Sequence, residues 1–167
     1  MAIAAAMGVA VAAGGPLGAQ QPGARMLQEQ QMVRLQEQAM RMNEAIQRMS
    51  RIQERAHNLE HRLIQEMSRL WQYQGVQEGV DVPLQLQTHE RLRVMAHAMS
   101  EGAYHTNQAM EQLRNMLGEP GVAWDAQSEG EFERLRLNWE ETAGQMEEGL
   151  AIMERLRDRI SQPGSGS

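Results

Sequence analysis

The chain has 167 residues, about one domain's worth, with a formal net charge of −6, no Cys, one Phe, two Tyr and three Trp against fourteen Met. The scarcity of aromatic and β-branched residues disfavours sheet. The acidic balance disfavours a nucleic-acid binder, which needs a basic face to release counterions, and the lack of Cys excludes thiolate metal sites, Cys nucleophiles and disulfides.

The first 24 residues, MAIAAAMGVAVAAGGPLGAQQPGA, carry no charge, and an apolar run from Ile3 to Ala13 is broken by Gly14, Gly15 and Pro16. Leu17-Gly18-Ala19 has the small-residue character of a cleavage site, so residues 1–19 are expected to be a secretory leader, although a basic n-region is missing. The mature chain would then begin at Gln20, with 20–24 as a short linker, and would be periplasmic or extracellular. No run approaches the roughly 20 apolar residues of a spanning helix, so no stable membrane insertion of the mature chain is expected.

A first helix is predicted over about 25–73. Arg34, Arg41, Arg48, Arg55, Arg62 and Arg69 fall seven residues apart, each followed directly by an apolar seam residue: Leu35, Met42, Met49, Ala56, Leu63 and Leu70. Met32, Ala39 and Ile46 supply the alternate seam positions, which makes a heptad repeat. A straight helix drifts by about 20° per heptad against such a repeat, so the row stays aligned only in a left-handed supercoil. The arginine row reads as a solvated face beside the seam, or as a docking strip for an anionic partner. Near residue 50 the second line shifts by one position, to Ile52 and Leu59, as two neighbouring helices or a change of partner would require.

Gly75, Gly79 and Pro83 mark a linker, and a second helix is predicted over about 88–117. Its seam is Leu92, Ala96, Met99, Ala103, Thr106, Met110, Leu113 and Leu117. Gly118, Pro120 and Gly121 break the chain again. Ser128, with Glu131 three residues on, has capping-box spacing and opens a third helix over about 128–161. That helix carries a seam of Phe132, Leu135, Trp139, Thr142, Met146, Gly149, Met153, Leu156 and Ile160. QPGSGS, 162–167, is a flexible tail.

Three heptad helices separated by breakers predict an all-α fold, an antiparallel three-helix coiled-coil bundle over 25–161 with a long first helix. Eight Arg against six Glu in helix 1 and five Arg against nine acids in helix 3 favour placing those two side by side, weakly. The small residues Ala96, Ala103, Thr142 and Gly149 permit close approach or leave room for Trp139 and the long methionines. Helix 1 is also longer than its partners. Its first part, 25–42, is expected to extend past them with Met26, Leu27, Met32, Val33, Leu35, Met40 and Met42 available to a protein partner or a second copy.

His57 and His61 in HNLEH stand one turn apart, a spacing that can chelate Zn²⁺ or Cu²⁺ but that also occurs in pairs of solvated histidines. The metalloprotease pattern HExxH is absent, because Asn58 stands where its glutamate would be. His89, His97 and His105 recur every eight residues and diverge around a helix, leaving His89 alone on the seam. Met42, Met49, Met99, Met110, Met146 and Met153 fall on seams, where methionine is core filler before it is a Cu(I) ligand. No phosphate loop, nucleophile elbow or di-iron carboxylate cluster is present. The expected function is therefore that of a non-catalytic, cofactor-free exported structural or interaction protein. A periplasmic copper or zinc binder and a holdase-like chaperone are the alternatives.

Overall fold

The computed structural model describes residues 22–72, 82–117 and 125–161. The expected leader and the tail lie outside the described residues. The chain forms α1 (Pro22–Gln72), α2 (Val82–Leu117) and α3 (Ala126–Ser161), with no strand among the described residues. It divides into two compact units, Met1–Arg34 and Leu35–Ser167.

In the second unit the directions of the helices follow from their contacts. Arg114 reaches Asn43, Asn107 reaches Ser50 and His89 meets Glu66, so numbers fall along α2 as they rise along α1. Arg48 meets Glu147 and Arg55 meets Glu154, so α1 and α3 run parallel. Gln85 donates to the Ile160 carbonyl, and Met99 lies against Gly149, so α2 and α3 are antiparallel. The fold is an up-down-up three-helix bundle with a long first helix.

The core is one continuous cluster. Met42, Ala45, Ile46, Met49, Ile52, Ala56, Leu59 and Leu63 come from α1 and Leu92, Ala96, Ala103, Met110 and Leu117 from α2, while α3 adds Phe132, Ala143, Leu150 and Met153. Each large apolar side chain so buried contributes about 1.5–3 kcal/mol. The shift of the α1 seam near residue 50 is present, since Ile46, Ile52 and Leu59 are all buried. Its cause is that α1 packs against α2 on one flank and α3 on the other, so two adjoining apolar lines go under cover. Small residues meet long ones across the α2–α3 contact: a Cβ on Gly149 would stand 3.0 Å from Met99 Cε, and one on Gly102 would stand 3.3 Å from Met146 Cε.

The structure corrects several sequence expectations. α2 begins at Val82 and not near Thr88, because Pro83 sits in the first turn, where its missing N–H costs no helical hydrogen bond. The added residues bring Leu86 under cover beside His89. α3 is capped by Asp125 and not by Ser128. The Asp125 carboxylate accepts from the Ser128 amide and the Ser128 hydroxyl, both at 2.7 Å, and these bonds hold it below the usual carboxylate range. The second seam line of α3 is also displaced by one residue. Arg136, Ala143 and Leu150 are buried, while Leu135 and Leu156 are exposed. The first line, Phe132, Trp139, Met146, Met153 and Ile160, stays in or against the core as expected; the α1 contact through Glu147 and Glu154 turns the Ala143–Leu150 side inward.

Leu150→Ala is expected to cost about 2–5 kcal/mol through transfer and cavity terms. Gly130 has open space where its Cβ would be, so Gly130→Ala is expected to stabilise the protein by about 0.5–1 kcal/mol through helix propensity. Urea unfolding midpoints of the two variants measure both effects.

Candidate functional site

The arginine row finds its counterpart on α3. Arg48 donates to both carboxylate oxygens of Glu147, Nε at 2.9 Å and Nη2 at 2.7 Å, and Arg55 donates to Glu154 at 2.9 Å. Glu133, Glu140, Glu147 and Glu154 are themselves seven apart. Two parallel heptad rows thus meet at a constant offset of 99 residues. The spacing of the glutamates was available in the sequence; the register that joins the rows was not. The hydrogen bonds from Arg48 hold the Glu147 carboxyl below its ordinary range and raise the Arg48 guanidinium.

The ladder does not extend along the whole row. Arg41 pairs with Glu37 on its own helix at 2.5 Å. Glu140 is taken by Arg136, which also holds Glu133 at 2.5 Å. Arg136 is only 7% exposed, and its two carboxylates raise its guanidinium while Glu133 is lowered in turn. On α2, Arg93 pairs with Glu90 at 2.7 Å and lowers it.

One polar knot joins all three helices. His89 is 2% exposed; its Nδ1 faces the Gln85 carbonyl at 2.8 Å and its Nε2 faces Glu66 at 3.2 Å. Glu66 also accepts from the Ser161 hydroxyl at 3.2 Å and lies 3.8 Å from Arg157 Nε. His89 is therefore a hydrogen-bonded core residue. His97 faces Glu60 at 3.3 Å and His105 lies 3.9 Å from Glu101, so the three histidines of α2 occupy separate surroundings.

His57 and His61 do come together. Their Nε2 atoms are 3.0 Å apart, the rings meet edge to face with centroids at 4.5 Å, and both side chains are exposed. Among the described residues no group of three or more His, Asp or Glu is arranged to hold a metal.

The apolar candidates divide. In the first unit Met26, Met32 and Val33 are 61, 56 and 62% exposed, and Met26 and Val33 share the lining of a shallow depression with Glu29, Gln30 and Arg34. Leu27 lies in α1, but its side chain falls outside the described residues. In the second unit Met40 is exposed, whereas Leu35 packs against the core and Met42 is fully buried. Met42 and Leu35 therefore leave the candidate surface, because α2 and α3 both run at their level, as the Arg114–Asn43 contact and the burial of Phe132 show. The seam methionines Met42, Met49, Met110 and Met153 are core, and Met99 and Met146 pack against it. Met95 points outward at 55% exposure, so Met95, His97 and Met99 do not converge. No described helix is long and apolar enough to cross a membrane.

The Arg48–Glu147 pair makes a signed prediction. A carboxyl with a lowered folded pKa contributes stability that is present above its unfolded value, ordinarily 4.5, and is lost as pH falls through the folded one. Both side chains stay over a third exposed, so Glu147→Gln is expected to cost no more than about 1 kcal/mol at neutral pH. That difference should vanish as unfolding is followed to progressively lower pH below 4.5.

Comparison with known proteins identifies no relative: no family model, no curated protein and no solved structure matches the chain.

Proposed function

We propose that the chain is a non-catalytic, exported interaction protein that self-associates through Met26, Met32 and Val33 of α1. The observation that carries this reading is the exposure of Met26, Met32 and Val33 on a helical segment with heptad spacing between Met26 and Val33. Large apolar side chains grouped on one surface mark an interaction site, because burying each removes an unfavourable water contact. Flexible methionines suit such a surface, since their unbranched thioethers adapt to the facing side chains. Glu29, Gln30 and Arg34 border the group and supply a polar rim. Export rests on the uncharged N-terminal stretch with its Ile3–Ala13 apolar run. The non-catalytic part rests on how the ionisable side chains are used: Arg48, Glu90, Arg93, Glu133, Arg136 and Glu147 serve ion pairs and Asp125 caps a helix.

Native mass spectrometry of protein recovered from periplasmic expression tests both parts. The expected species is an oligomer whose subunits begin at Gln20. Met26→Glu, Met32→Glu and Val33→Glu combined should convert it to monomers without lowering the thermal midpoint of the bundle. An unchanged particle mass in that variant refutes the interface, and a subunit that retains residues 1–19 refutes the leader.

A further inference from the structure

We infer that His57 and His61 form a two-nitrogen chelate for one borderline divalent cation, with Cu²⁺ the preferred ion. The spacing alone gives proximity; the structure adds convergence. The two Nε2 atoms face each other at 3.0 Å, with the ring planes at 87°, so both donors are aimed at one locality. Metal–imidazole bonds are about 2.0–2.1 Å long, so two nitrogens at this separation can reach one ion as adjacent ligands with little movement of either ring.

The backbone beneath the pair is held. Ala56, Leu59 and Leu63 bury the opposite face of the same two turns at 0, 2 and 0% exposure, so the histidines stand on a fixed helix with their tips in water. The pair is also uncommitted to the packing. His89 is locked between Gln85 and Glu66, His97 faces Glu60 and His105 lies beside Glu101. His57 and His61, by contrast, meet each other. Glu60, between them in sequence, is engaged by Arg93 and His97.

The chemistry selects the ion. Two neutral imidazoles without a carboxylate or thiolate do not suit Mg²⁺ or Ca²⁺, which take oxygen ligands. Among the first-row divalent ions that accept imidazole, affinity rises to a maximum at Cu²⁺. In the metal-free protein one Nε2–H donates to the other Nε2. Binding needs both Nε2 atoms as donors, so the ring that carries Nε2–H shifts that proton to its own Nδ1, and the metal takes the place of the hydrogen bond between the rings. The remaining coordination positions are left to water.

The test is a Cu²⁺ titration of the full chain against a weak amino-acid competitor, read by the visible copper band and by electron paramagnetic resonance. The expected result is one copper per chain in the strongest class of sites, with hyperfine splitting from two equivalent imidazole nitrogens. His57→Gln and His61→Gln should each weaken that site by roughly tenfold or more, the scale set by losses of even outer-shell partners at metal sites. His97→Gln and His105→Gln should leave it unchanged. The double variant His61→Asn, Arg62→His keeps the number of histidines but turns the second ring away from the first, and should also lose the site. Circular dichroism confirms that each variant is folded. Copper affinity that is unaffected by His57→Gln or by His61→Gln overturns the proposal, as does a spectrum showing a single nitrogen or retention of the site in the relocated-histidine variant.

Discussion

Each helix of the bundle has to cover two neighbours at once. A two-stranded coiled coil needs one narrow seam; a helix with partners on both flanks needs two adjoining apolar lines. α1 meets this with Ala45 and Ile46, both buried, and then with Ile52 and Leu59 joining Met49, Ala56 and Leu63. α3 meets it with a line on which Ala143 and Leu150 are buried beside Met153. The placing of the charged groups follows from the same requirement, because they take the positions that border these two lines.

Apolar seams made largely of Met, Leu and Ala are tolerant of sliding, since one heptad resembles the next. The ion pairs at the seam borders are less tolerant. Arg48 and Arg55 meet Glu147 and Glu154 at one offset. At the end of the bundle, Glu66 joins His89 of α2 and Ser161 and Arg157 of α3. A shift of one heptad would separate His89 from its carboxylate and leave a buried polar group without a partner, at a cost of about 1–3 kcal/mol. The individual surface pairs add little stability; their effect is to make one alignment of the helices better than its neighbours. Gly102 and Gly149 act in the same direction, because Met146 and Met99 fit against them.

The methionines serve two purposes that composition alone cannot separate. Those facing the bundle, such as Met42, Met49, Met110 and Met153, fill the core. Met26 and Met32 are exposed and are the material of the proposed interface. The histidines divide similarly, with His89 built into the packing and His57 and His61 presented together at the surface. The two proposals, an assembly surface and a copper chelate, rest on different side chains and stand or fall separately.

The all-α class, the number of helices and most of the core were legible in the sequence, because a heptad repeat records which side of a helix avoids water. His89 could be placed on the α2 seam for the same reason, and its burial agrees. The helix starts were less legible. Pro83 reads as a linker residue although a first turn accepts it, and Ser128 with Glu131 imitates a cap that Asp125 provides. What only the tertiary structure decided is which of two equally periodic lines on α3 faces inward, which arginines meet a carboxylate on another helix, and that the nitrogens of His57 and His61 converge. Periodicity fixes a stripe on a cylinder, but the rotation of that cylinder against two neighbours, and the rotamers at its edge, are set by packing the three helices together.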